Sequence, residues 1–104
     1  MIKISKDGKE YILEYDKEAI VIMEKKGFNL QNVDGQTMNM YPLIFQGAFY
    51  KNHKYMKSAE IDEIFNNISN RRELMSKLME MIADQYQELI GDNGDKGNLG
   101  WESI

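Results

Sequence analysis

A chain of 104 residues, 42% hydrophobic and 29% charged, has material for one globular core and none for a second domain. Its formal charge of -4, with acids and bases interspersed, offers no broad positive field for a phosphate backbone, and the lack of any cysteine excludes disulfides, thiol catalysis and thiolate metal sites together. No apolar run approaches the ~20 residues of a bilayer span, and the opening Met-Ile-Lys-Ile-Ser-Lys has no apolar export segment, so a cytoplasmic protein is expected.

The first element reads as a β-hairpin. Ile2 and Ile4 alternate with Lys3 and Ser5, Asp7-Gly8 supplies a turn that tolerates positive φ, and Tyr11, Leu13 and Tyr15 resume the alternation. Two strands alone are marginally stable, so their apolar face must rest on helices. Asp16 stands where an N-cap belongs, ahead of Ala19, Ile20 and Met23 at helical spacing, with Lys25 and Lys26 in the last turn and Gly27 just beyond. The β-branched run Ile20-Val21-Ile22 also fits a strand; the start and stop signals favour helix. From Phe28 to Met40 the asparagines and Asp34-Gly35 are loop chemistry, with a short strand allowed at Met38 and Met40. Pro42 suits a first helical position, and the run from Leu43 to Tyr50 is apolar nearly all round, which predicts a central, buried helix. Gly47 and Ala48 in it are small enough for another element to pass close.

Lys51 to Lys57 is a polar connection. Ser58 then caps a helix with Ala59, Ile61, Ile64, Phe65 and Ile68 at three-four spacing and Glu60, Asp62 and Glu63 near its positive end. Asn70 with Glu73 makes a capping-box-like start for the longest helix, whose apolar positions Leu74, Met75, Leu78, Met79, Met81, Ile82, Tyr86, Leu89 and Ile90 run to Gly91. From there four of the eight glycines fall in fourteen residues, which reads as a flexible tail over 91–104 following a single globular domain over 1–90. The expected class is α+β, predominantly helical, with an N-terminal β-hairpin packed on about four helices.

Few residues invite chemistry. His53 is the lone histidine, in the Lys-rich stretch Lys51-Asn52-His53-Lys54, with no carboxylate or hydroxyl at a motif spacing, and a surface role is the simpler reading. Asp16, Glu18, Glu60, Asp62 and Glu63 cluster at helix starts, where each favours the helix dipole by a few tenths to about 1 kcal/mol. If Gly97 is taken as the sixth residue of a calcium loop, Asp92 is the first, but Gly94 and Lys96 fill the third and fifth places and Ser103 the twelfth, so the pattern fails. No phosphate loop, dinucleotide fingerprint or nucleophile elbow occurs. An enzyme is not expected, nor a cofactor or metal. The one basic and aromatic cluster, Tyr50 to Lys57, reads as a solvated connector or an edge for an acidic partner, with nucleic acid disfavoured.

The informative surplus is the stripe of the last helix. Leu74, Leu78, Met81, Ile82 and Leu89 can face the core, which leaves Met75, Met79, Tyr86 and Ile90 on a second flank; periodicity does not say whether that flank is buried within the bundle or against a partner. Eight methionines tilt the reading toward protein recognition, since Met suits adaptable surfaces. Trp101, beyond a Gly-rich linker, is either unpacked or reserved for a partner. The candidate partner-binding set is therefore Met75, Met79, Ile82, Tyr86, Ile90 and Trp101, with a homo-oligomer expected.

Three stretches, Glu18 to Phe28, Pro42 to Tyr50 and Ser58 to Ile64, resemble small tail assembly chaperones of long-tailed phages and prophages of Gram-positive bacteria. That family has a short N-terminal strand region, an acidic-capped helix ending near Glu-x-x-Gly, an apolar helix and then a Ser- or Thr-capped helix. The resemblance implies a protein that coats the long helical tape measure protein in the host cytoplasm, keeps it soluble and is displaced as tail tube subunits polymerise, often made in a short and a frameshifted longer form. It brings no catalytic residues. A minor structural or head-tail connector protein, or a small nucleic-acid-binding regulator, are the alternatives.

Overall fold

A computed structural model describes residues 1–33, 35, 37–90, 99–100 and 102–103, with only the backbone of Ile90. The tail expectation and Trp101 thus fall largely outside the described residues. The fold is the expected one, a two-stranded hairpin and four helices: β1 (Ile2–Lys6), β2 (Lys9–Leu13), α1 (Lys17–Lys25), a 3-10 turn at Leu30–Asn32, α2 (Thr37–Gly47), α3 (Ser58–Asn67) and α4 (Arg71–Ile90).

The hairpin follows from its turn. Asp7 and Gly8 both take positive φ (52° and 79°), the backbone twist of a tight two-residue connection. Pairing Ile4 with Tyr11 and Ile2 with Leu13 puts those four side chains on one face. Tyr15 continues that face into the core and donates its hydroxyl to the Ile44 carbonyl of α2; burial pushes the phenol well above the usual tyrosine value. α1 begins as its residues dictate. The Asp16 carboxylate accepts from the Ala19 N–H at 2.8 Å, and Gly27 closes the helix at φ 105°.

α2 departs from expectation. It starts at Thr37, so Met38 and Met40 are helical and Pro42 lies inside the helix rather than at its head. Proline there removes the N–H that would bond the Met38 carbonyl, at a penalty of ~3 kcal/mol in a regular helix interior. Met40 explains the outcome: it is buried together with Ile44, Ala48 and Phe45, a face that exists only if the helix extends back past the proline. α2 packs on α1, α3 and α4 and is the central element. Beyond Gly47 the expected helix continues only as tight turns, in which Phe49 N–H donates to Gln46 O and Tyr50 N–H to Gly47 O.

Two caps also differ. Lys57 occupies the cap of α3 without a side-chain bond, and Ser58 is the first helical residue. Asn70 sits at φ 59°, a left-handed conformation that asparagine tolerates, and its amide donates to the Glu73 carboxylate at 2.7 Å, bonding side chain to side chain where a capping box would use the backbone.

The connector after α2 is not merely solvated. It covers the outer edge of β2: Glu14 N–H donates to the Ala48 carbonyl (3.1 Å), Ile12 N–H to His53 Nε2 (3.0 Å), and the Asn52 amide to the Ile12 carbonyl (3.2 Å). An unpaired strand edge is a site for unwanted pairing, and this segment closes it. His53 therefore has a structural task, with Nε2 unprotonated as an acceptor, and its ring stands edge-on to Tyr11 at 5.4 Å. The Glu14 carboxylate receives Asn52 and Lys51, and these bonds hold it below the usual glutamate range. A depressed carboxylate adds stability above its unfolded value of ~4.3, and that contribution disappears as pH falls through the lower folded value. Urea titrations from pH 3 to 7 should therefore show wild type more stable than Glu14→Gln at neutral pH, with the gap closing in acid.

Candidate protein-binding surface

Twenty residues of α4 carry a stripe wider than one neighbour can cover. Met75, Leu78 and Ile82 lie in the core at 2%, 0% and 0% exposure, and Met79, Met81 and Tyr86 are partly buried against it. Two of the six sequence-derived candidates, Met75 and Ile82, are thus core residues. The reason is rotational: the buried line runs through Met75, so Leu89, expected in the core, emerges at 65% exposure. Met79 and Tyr86 remain on the flank. The Ile90 side chain and Trp101 lie outside the described residues.

Tyr86 marks a groove of about 270 Å³ between α4 and α1. Ile20 and Tyr86 form its apolar base, Val21 (38% exposed) and Leu89 stand at its sides, and Lys17, Glu24 and Glu88 line it with charge. The Tyr86 hydroxyl donates to Glu24 at 2.7 Å, which ties the two helices together across the groove. Partial burial, then the bond to Glu24 and its negative charge, push this phenol up to about 12, so it stays neutral and a donor throughout the physiological range. Neither Val21 nor Leu89 is among the partner-binding candidates of the sequence, which assigns Leu89 to the core. The available signal was α1 itself, where Ile20, Val21 and Ile22 in succession give more apolar surface than one helix face buries.

A second, larger groove of about 610 Å³ opens at the other end of α4, between it, α3 and the start of α2. Its walls include Met38, Tyr41, Phe65 and Met75, and Arg71 and Arg72 lie on it. The Arg71 guanidinium stands 5.5 Å from the Phe65 ring centre. The basic connector borders two smaller clefts, one against Asp16, Glu18 and Ile22 and one against Gln46 and Ile61. Lys51 pairs with Glu14 at 3.1 Å, Lys54 reaches Glu18 at 4.0 Å, and Lys26 bonds the Tyr50 hydroxyl, so its charge is partly answered within the chain.

Among the described residues no three His, Asp or Glu side chains are grouped to hold a metal ion, and no helix is long and apolar enough to cross a membrane. Two apolar-based grooves thus lie at opposite ends of one long helix. No curated protein and no solved structure matches the chain. A family model matches residues 1–103, and the chain belongs to that family, described as Domain of unknown function (DUF5055).

Proposed function

We propose that this chain is a non-catalytic assembly protein that holds an apolar helix of a client protein, and that it acts as a phage tail assembly chaperone for the tape measure protein in the host cytoplasm. The observation that supports this reading is the α1–α4 groove, where Val21 and Leu89 stand exposed on either side of an Ile20–Tyr86 base. Two adjacent helices with an apolar channel between them are a receptor for the apolar stripe of a third helix. Charged residues line the same groove and suit an amphipathic client. The internal pairing of Lys51 and Lys54 weighs against a nucleic-acid partner.

Co-expression of the full chain with a tape measure protein tests the proposal. The two proteins should co-purify, and the client's soluble fraction should rise. Val21→Asp combined with Leu89→Asp places charges at exposed positions, which spares the fold, and removes two apolar contacts of ~1.5–3 kcal/mol each, so client affinity should fall at least about 100-fold. A client that stays insoluble with wild type, or that binds the double variant equally well, sinks the reading. Stoichiometric recovery of the chain in purified virions would instead make it a structural component.

A further inference from the structure

We infer that the chain associates head to tail with copies of itself: the segment Leu99-Gly100-Trp101-Glu102-Ser103-Ile104 of one copy docks in the Arg71–Arg72 groove of the next.

Four observations converge on this pairing. Arg71 and Arg72 are the only arginines in the sequence, and both lie on this groove. Arginine combines fixed charge with a planar face that stacks on aromatics, and it is enriched at binding hot spots. Among the described residues neither arginine has an ion-pair partner: the nearby Glu73 is taken by Lys77 at 3.8 Å and by Asn70. The groove therefore presents positive charge over apolar walls, with Met38 at its mouth 88% exposed.

The tail has the complementary chemistry. Asp92, Asp95 and Glu102 against the single Lys96 leave residues 91–104 net negative by two, and the segment from Leu99 carries Leu, Trp and Ile at alternate or near-alternate positions. Leu99 is 94% exposed, an apolar anchor with nothing beneath it. The match to the family model runs through this stretch to residue 103.

The choice between a chain's own groove and its neighbour's follows from reach and from the fold. Met75 lies fifteen residues before the end of α4, or about 22 Å along the helix axis, and Arg71 is farther by about 6 Å. Ten residues, four of them glycine, lie between Ile90 and Trp101, and a Gly-rich random coil of that length spans roughly 16–19 Å on average. Turning back onto the same molecule would require a stretched linker. One chain with both parts present leaves its own groove open and Leu99 exposed. A neighbouring copy meets neither constraint. Because donor segment and acceptor groove are different surfaces, a single docking leaves a free groove on one copy and a free segment on the other, and repetition builds a ring or an open filament.

Trp101 is the only tryptophan, so its fluorescence reports the docking directly. With the full chain raised from about 1 µM to about 1 mM, a range that brackets contacts of this size, its emission should shift to the blue. Sedimentation equilibrium should show the weight-average mass growing past two copies over the same range. Arg71→Glu with Arg72→Glu alters exposed residues at a helix start, where acids are favoured, and should raise the midpoint concentration at least about tenfold. Leu99→Asp should abolish the growth in mass. Mixing the double arginine variant, whose tail is intact, with Leu99→Asp, whose groove is intact, should restore a one-to-one complex that grows no further. The inference is overturned by an emission that is solvent-like at all concentrations, by a blue-shifted emission in a monomer, which means docking within one chain, or by a midpoint concentration that is unchanged in the arginine variant. None of these outcomes depends on the client, so the test stands apart from the chaperone reading.

Discussion

Ile82→Ala should lower the unfolding free energy by about 3 kcal/mol, whereas Leu89→Ala, seven residues along the same helix, should change it by less than about 0.5 kcal/mol. Ile82 is fully buried in the core that α4 shares with α2, and truncation leaves a cavity that close-packed neighbours fill only in part. Leu89 is 65% exposed, so its methyls are largely in water in both folded and unfolded chains. Urea denaturation followed by far-UV circular dichroism checks the pair, since a shift in midpoint at constant slope reports stability alone. Equal losses at the two positions would mean that α4 is rotated relative to this structure. The same pair separates fold from function: Leu89→Ala should weaken client binding while leaving the melting curve in place.

What sequence pattern conveys about this protein depends on whether one local signal has one physical cause. The hairpin was legible because alternation and the Asp-Gly turn demand the same register. α1 was legible because Asp16, the Ala19–Ile20–Met23 spacing and Gly27 each specify the same boundaries. α2 was misread at its head for the opposite reason: Pro42 is a start signal when taken locally, and only the burial of Met40 against distant elements overrules it. The phase of α4 was undetermined. With nine apolar positions in twenty residues, several rotations bury an equally good face, and α2 selects the one through Met75, Leu78 and Ile82. Both grooves were beyond reach for the same reason, since each joins residues far apart in sequence, Val21 with Leu89 in one and Met38 with Arg72 in the other. His53 looked idle because its partner, the Ile12 backbone, lies 41 residues away.

The small residue in α2 is the second place where a large effect is expected. A Cβ built on Gly47 would lie 2.2 Å from the Met23 sulfur and 2.6 Å from its Cγ, so the Met23 side chain of α1 fills the space that a β-carbon at this place in α2 would need. By helix propensity alone Gly47→Ala would gain up to about 1 kcal/mol. Overpacking opposes this, because Met23 is itself buried at 1% exposure and has little room to turn aside. A net loss of about 1–2 kcal/mol is expected for Gly47→Ala, rising to about 3 kcal/mol for Gly47→Val, whose branched side chain forces the helices apart. The collision is specific to one partner, so it is testable by coupling. Met23→Ala alone should cost about 2–4 kcal/mol through its cavity, yet in the Gly47→Ala background the new methyl occupies part of that space and the double variant should cost at least about 1 kcal/mol less than the sum. Additive losses would show that the two side chains do not meet. The consequence reaches the candidate site, because Ile20, Val21 and Glu24 ride on α1 with Met23. Moving α1 away from α2 moves one wall of the groove relative to Leu89 on α4. Under the proposed function, Gly47→Val should therefore reduce client capture even at temperatures where the variant remains fully folded, and Met23→Ala should partly restore it.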